Sequence, residues 1–287
     1  MVEHQYIRNF PTGIKALILL SVLLAAGSAG SAVPAVRGQG TLGARALALG
    51  QATAAMAGDN WAVFHNPALL KTEQHAVSFY AMRFAGLAEL TDMAAAATFG
   101  LPGSPGGVVG AGLHRYGFDL FSETRFRIGY RNSLDRFSYG ALVNYSHVSL
   151  GGGYGSAGAA GIDLGVAAEP GGGLVIGARA VNINRPAYGD TDEELPRELA
   201  IGVTYRMSGS AVVLADLVKD VRFPLSLRCG FELLLFPDLY ARTGITLEPG
   251  TWSLGFGYSP ESFSVGIAVQ NHDVLGLNPG LDFSVSL

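Results

Sequence analysis

The 287-residue sequence has one cysteine, Cys229, so an internal disulfide framework is closed to it, and the mid-chain position excludes the N-terminal cysteine of a lipoprotein. Charge is scarce too. Charged residues make up 15% of the chain, against about 25% in soluble domains. The net charge of −4 offers no basic footprint, which excludes nucleic acid as a partner. Beyond residue 32 no stretch reaches the roughly 18 uninterrupted apolar residues of a membrane helix, and a helical bundle in the bilayer is therefore excluded.

Catalytic signatures are missing in the same way. No H-E-x-x-H occurs, Ser156 follows Tyr154 where a G-x-S-x-G elbow needs glycine, and His65, His75, His114, His147 and His272 are scattered. A Ser/His site can assemble from distant positions, so a hydrolase stays open as a reading that needs a Ser or Asp within reach of a histidine. "GYGSAG" puts Gly153, Gly155 and Gly158 at G-x-G-x-x-G spacing, but a dinucleotide site needs a helix to begin there and a strand pattern follows. "DTDEEL" at 190–195 offers carboxylates without the rest of an EF-hand loop and reads as a solvated connection. The expectation is no catalytic residue, no cofactor and no metal.

What the sequence does hold is apolar and small: 49% hydrophobic residues and 40 glycines. Arg8 and Lys15 flank the apolar run 14–26, and small residues at 27–32 suit a cleavage site. That run of 13 residues falls short of the about 20 that span a bilayer. Residues 1–32 thus read as a secretory signal peptide, with a retained signal anchor as the alternative. Without them 17 basic and 22 acidic residues remain, a net charge of −5.

From residue 75 onward the apolar residues recur with period two. In "TWSLGFGYSP", Trp252, Leu254, Phe256 and Tyr258 share one face and Thr251, Ser253, Gly255 and Gly257 the other. "ELAIGVTYRM" and "SFSVGIAVQN" repeat the division. The second face is small rather than charged, which suits the crowded lumen of a membrane barrel and not the wet face of a sandwich. Aromatics at strand ends, among them Phe79, Tyr80, Tyr130, Phe137, Tyr139, Phe236, Tyr240, Tyr258 and Phe263, suit an interfacial girdle.

About fourteen such runs fit residues 74–287, so the expected fold is all-β: a transmembrane antiparallel β-barrel of the bacterial outer membrane. Tight inner turns are expected at 102–107, 132–136, 169–173, 208–210, 237–238 and 259–262. Longer outer loops are expected at 150–158, 185–196, 218–223 and 272–280, with 248–251 a short exception. The closing "GLDFSVSL" resembles the terminal strand signal read by the barrel-assembly machinery, which together with outer membrane lipid is an expected partner.

Residues 33–73 read as a small helical or irregular plug. Asp59 is placed to cap a short turn through "NWAVF", and Asn66 followed by Pro67 forms a second cap. The stretch 42–70, "LGARALALGQATAAMAGDNWAVFHNPALL", resembles the N-terminal signature of the PorV/PorQ branch of FadL-like outer membrane proteins. The matching positions are Gly43, Ala44, Arg45, Ala46, Gly50 and Ala52, then Asp59, Trp61 and Asn66-Pro67-Ala68. The resemblance implies a fourteen-stranded barrel whose N-terminal hatch occludes the lumen, and either passage of hydrophobic compounds or a role in type IX secretion.

Gly43, Arg45, Asp59, Trp61, Phe64, Asn66, Pro67 and Ala68 are accordingly the expected plug or gate residues. Arg125, Arg127, Arg179, Glu198, Arg206, Arg228 and Glu232 lie on polar faces and are expected to line the lumen, as a charged path or as pairs that hold the plug through Asp59 or Glu73. Two functions follow: a plugged passive route or binding site for a small hydrophobic molecule, or a non-conducting secretion-associated component that binds a protein.

Overall fold

The computed structural model describes residues 41–71, 75–84, 87–104, 106–152, 155–189, 193–272 and 276–287. The expected signal peptide, the start of the expected plug and Glu73 lie outside these residues. Among those described, fourteen antiparallel strands close into one barrel in which each strand pairs with its neighbours in sequence and the first pairs with the last. They are β1 (Ala76–Phe84), β2 (Leu87–Gly100), β3 (Val108–Phe118), β4 (Phe121–Leu134), β5 (Phe137–Leu150), β6 (Gly155–Gly171) and β7 (Leu174–Val181). The second half comprises β8 (Glu198–Ser208), β9 (Ala211–Asp220), β10 (Ser226–Phe236), β11 (Leu239–Thr246), β12 (Thr251–Tyr258), β13 (Phe263–His272) and β14 (Gly276–Ser286). Closure uses the β1–β14 ladder, Ala76 opposite Ser286 through Met82 opposite Gly280, and leaves no open sheet edge there.

The period-two pattern sorts side chains as the sequence requires. On β12 Leu254, Phe256 and Tyr258 point outward while Thr251, Ser253, Gly255 and Gly257 are buried inward. The outward faces of the strands carry the exposed large apolar residues, as a lipid-facing barrel wall requires. Two of the expected girdle aromatics face the other way. Tyr80 is 3% exposed and packs edge-on against Trp61 at 5.8 Å, and Tyr240 turns toward the lumen at the inner mouth with Arg242 stacked 5.5 Å over its ring. Parity along the strand, not ring chemistry, decides the face.

The inner turns fall where the sequence puts them, but the outer loops are mostly shorter than expected. Strands β5 and β6 continue to Leu150 and from Gly155, leaving 151–154 in place of 150–158, and β14 begins at Gly276 rather than 280. The Gly/Ala/Ser run at the start of β6 pairs residue by residue with β5, so small residues that read as a loop are strand. Gly155 and Gly158 therefore lie in a strand and not at a helix start. The long outer connection joins β7 to β8, and its described residues bond the wall: Asn184 bonds the Ile162 amide and the Ala160 carbonyl, and Tyr188 donates to Glu123 at 3.1 Å.

Candidate functional site

Residues 41–71 occupy the lumen. One helix, α1 (Ala44–Ala48), packs against β11 to β14, and two 3-10 turns, Ala62–Phe64 and Pro67–Leu69, pack against β3 to β6. Gly43 begins α1 at φ 97°, and a Cβ there would sit 2.5 Å from the Trp61 ring, so only glycine lets the helix start under that indole. Asp59 Oδ1 accepts from the Trp61 amide at 2.9 Å, and Asn66 Oδ1 accepts from the Ala68 amide at 3.0 Å with Pro67 at the first helical position. Asn66 Nδ2 also donates to Ala54 O (2.7 Å) and to the wall carbonyls of Val166 and Ala178 (3.3 Å each).

Four of the seven expected lumen residues meet the plug, Arg127, Arg179 and Arg228 through its main-chain oxygens and Glu232 through Arg45. Arg179 donates to His65 O (3.0 Å) and Thr53 Oγ1 (3.1 Å) and binds Glu198 at 2.6 Å. Arg228 donates to Gln51 O (3.3 Å), Arg127 to Val63 O (3.4 Å) and Arg131 to Leu70 O (2.8 Å). Arg125 instead pairs along its own strand with Glu123 at 2.7 Å. Arg206 shares the inward parity but lies beyond the plug, exposed at the inner mouth. Arg45 reaches the wall: its Nε and Nη2 form a fork on Glu232, both at 2.9 Å, and Arg242 donates to the same carboxylate at 2.7 Å.

Sequence reading missed three seating residues. Asp216 Oδ2 accepts from the Thr53 and Ala54 amides (2.6 and 2.7 Å), and Asp282 Oδ2 accepts from the Ala44 amide at the start of α1 (2.8 Å). Arg242 is the third. Asp282 and Arg242 are charged residues on the small-residue faces of β14 and β11, and that position was the available signal, whereas Asp216 shares its face with Val212, Leu214 and Val218. Among the plug's own groups, burial would by itself lower the Arg45 guanidinium, but Glu232 more than reverses this and holds it above its ordinary value. Burial pushes His65 down to about 4, Arg179 and Arg127 adding to the effect and Asp59 and the Leu42 carbonyl opposing it.

Two cavities approach the plug from opposite ends. The inner one, about 450 Å³, is lined by Arg45, Asp59, Trp61 and Glu232 among others. The outer one, about 190 Å³, meets Phe64, Arg127, Arg179 and Arg228. Trp61 lines the first and Phe64 the second, and their rings pack at 6.1 Å between centroids. Tyr80 backs the Trp61 ring edge-on at 5.8 Å.

His114 Nε2 lies 2.7 Å from Asp92 Oδ1, with side chains 2% and 0% exposed, and Phe64 packs edge-on against the imidazole at 6.3 Å. This is a sealed structural pair inside the wall and not an accessible nucleophile. No cluster of three or more metal-ligating side chains occurs among the described residues.

No family model matches the chain, and no curated protein matches it. Solved structures do. The chain is similar to the Pseudomonas putida toluene transporter TodX (TM-score 0.66, 15% identity, 86% of this chain and 99% of that one). It is also similar to the Ralstonia pickettii toluene transporter TbuX (0.66, 14%, 86% and 98%) and to the monoaromatic hydrocarbon channel CymD (0.64, 13%, 86% and 98%). Identities this low speak for shared architecture alone: the chain has the fold of these channels, and in it the barrel closes with fourteen strands.

Proposed function

We propose that the chain is a bacterial outer membrane protein giving small hydrophobic solutes a passive route, closed at rest by the Trp61–Phe64 pair. The observation that carries this reading is the pair of cavities meeting the plug from opposite mouths, with one aromatic contact of 6.1 Å between them. The fold shared with toluene and monoaromatic hydrocarbon channels supports the solute class. On this reading residues 1–32 are removed on export, 33–73 form the plug, and the PorV/PorQ-like motif specifies the seated plug. The secretion-associated alternative has less support, since most outer connections are short and offer little surface to a protein partner.

The test is toluene uptake into proteoliposomes by wild type, Trp61→Ala and the Trp61→Ala/Phe64→Ala double variant. Removing both rings joins the cavities, so uptake should rise well above wild type while gel mobility before and after heating shows a folded barrel. Uptake equal to protein-free vesicles in all three would overturn the route.

A further inference from the structure

The outer cavity is not the apolar chamber that a bare hydrocarbon would favour. Arg125, Arg127, Arg179, Arg222 and Arg228 line it, against the acidic Glu198 and Asp220. Arg222 stands 3.6 Å from Asp220, and two of these arginines have a carboxylate at hydrogen-bond distance: Arg125 on Glu123 (2.7 Å) and Arg179 on Glu198 (2.6 Å).

Arg127 and Arg228 do not. Arg127 comes within 3.6 Å of Asp163 Oδ2, while the other oxygen, Oδ1, accepts from the Asn144 side chain and the Asn182 amide. Arg228 comes no nearer than 4.0 Å to Glu198, which Arg179 holds. Arg127 also stacks over the Phe64 ring at 5.4 Å and donates to the Val63 carbonyl (3.4 Å), Arg228 donates to the Gln51 carbonyl (3.3 Å), and both Nε atoms are buried without an acceptor among the described residues. Arg127 is 7% exposed. A buried guanidinium so loosely held is poorly compensated, and its planar fork suits a carboxylate.

The cavity also has an apolar side, formed by Phe64, Val181, Leu195 and Phe223. Its volume of about 190 Å³ lies below the roughly 300 Å³ at which drug-sized pockets begin. A long acyl chain does not fit, whereas one ring with one anionic head does. We propose that the outer cavity binds a small aryl carboxylate, its head shared by Arg127 and Arg228 and its ring against Val181, Leu195 and Phe223. Binding here does not depend on the plug opening.

The experiment is calorimetric titration of the full chain in detergent with benzoate, acetate, inorganic phosphate and toluene. Passage plays no part in it, so its failure leaves the route of the previous section standing. Benzoate should bind more tightly than the other three, and Arg127→Gln and Arg228→Gln should each weaken it about tenfold or more, the loss of one charge-assisted pair. Arg136→Gln, on an inner turn, should bind as wild type does. Acetate or phosphate equal to benzoate would overturn the aryl half of the proposal. Toluene equal to benzoate, or no loss in either folded arginine variant, would overturn the anionic half. No benzoate binding at millimolar concentration by a heat-modifiable barrel would overturn both.

Discussion

Glu232→Ala should unlatch the plug. Glu232 is the acceptor for the Arg45 fork at 2.9 Å and for Arg242 at 2.7 Å, and its side chain is 7% exposed. Removing one partner of a buried ion pair costs about 3–5 kcal/mol. Arg242 belongs to the wall whether or not the plug is seated, so its loss is common to both states. Only Arg45 discriminates between them, and Arg45 is 21% exposed and keeps its bond to the Ala57 carbonyl at 3.1 Å. The low end, about 3 kcal/mol, is therefore the expected loss of seating energy. That corresponds to a shift of about 150-fold in the ratio of unseated to seated plug. Single-barrel conductance in a planar bilayer reads it as a matching rise in open probability. Arg45→Ala should give a similar rise, and the double variant should fall well short of the summed effects because both remove one interaction. An open probability for Glu232→Ala within a few-fold of wild type, from barrels of normal heat-modifiability, would refute the reasoning.

Acid should loosen the plug through His65. Its folded value of about 4 lies below the free value of 6.5, so the neutral ring's contribution is full above pH 6.5 and declines as pH falls toward 4. The total is about 3 kcal/mol, read as protease sensitivity of residues 41–71, and His65→Gln should flatten the profile. Gly177→Ala should unseat the plug without unfolding the barrel, because a Cβ there would strike the Ala54 carbonyl and lie 3.0 Å from Ala55 Cα; a cost of about 1–3 kcal/mol is expected, with wild-type protease resistance of the plug as the contrary result. Asn66→Ala removes a cap and leaves the Val166 and Ala178 carbonyls without this donor, a loss of about 2 kcal/mol that a thermal scan would miss only if water replaces the amide.

The barrel was legible because alternation is a property of the strand itself: Trp252 through Tyr258 needed no tertiary information to be placed. Asn66-Pro67 was legible for a similar reason, since cap chemistry is local. Tyr80 and Tyr240 were misplaced because aromatic character was allowed to outweigh parity, and the outer ends of β5 and β6 were missed because small residues carry no periodic signal. The role of Asp216 and Asp282 required knowing which amides of residues 41–71 would arrive opposite them, and that depends on a path through space that no spacing encodes.

The arginines of the wall grip main-chain oxygens of Gln51, Val63, His65 and Leu70, and Thr204 and Thr246 grip those of Ala55 and Gly50. Every amino acid offers the same oxygen. Recognition of this sort fixes a route and is indifferent to spelling, so the stopper can change its letters wherever they face solvent while its course stays put. On the proposed route, a few side chains at the stopper's two faces could then change which solute is admitted without altering how the stopper is held.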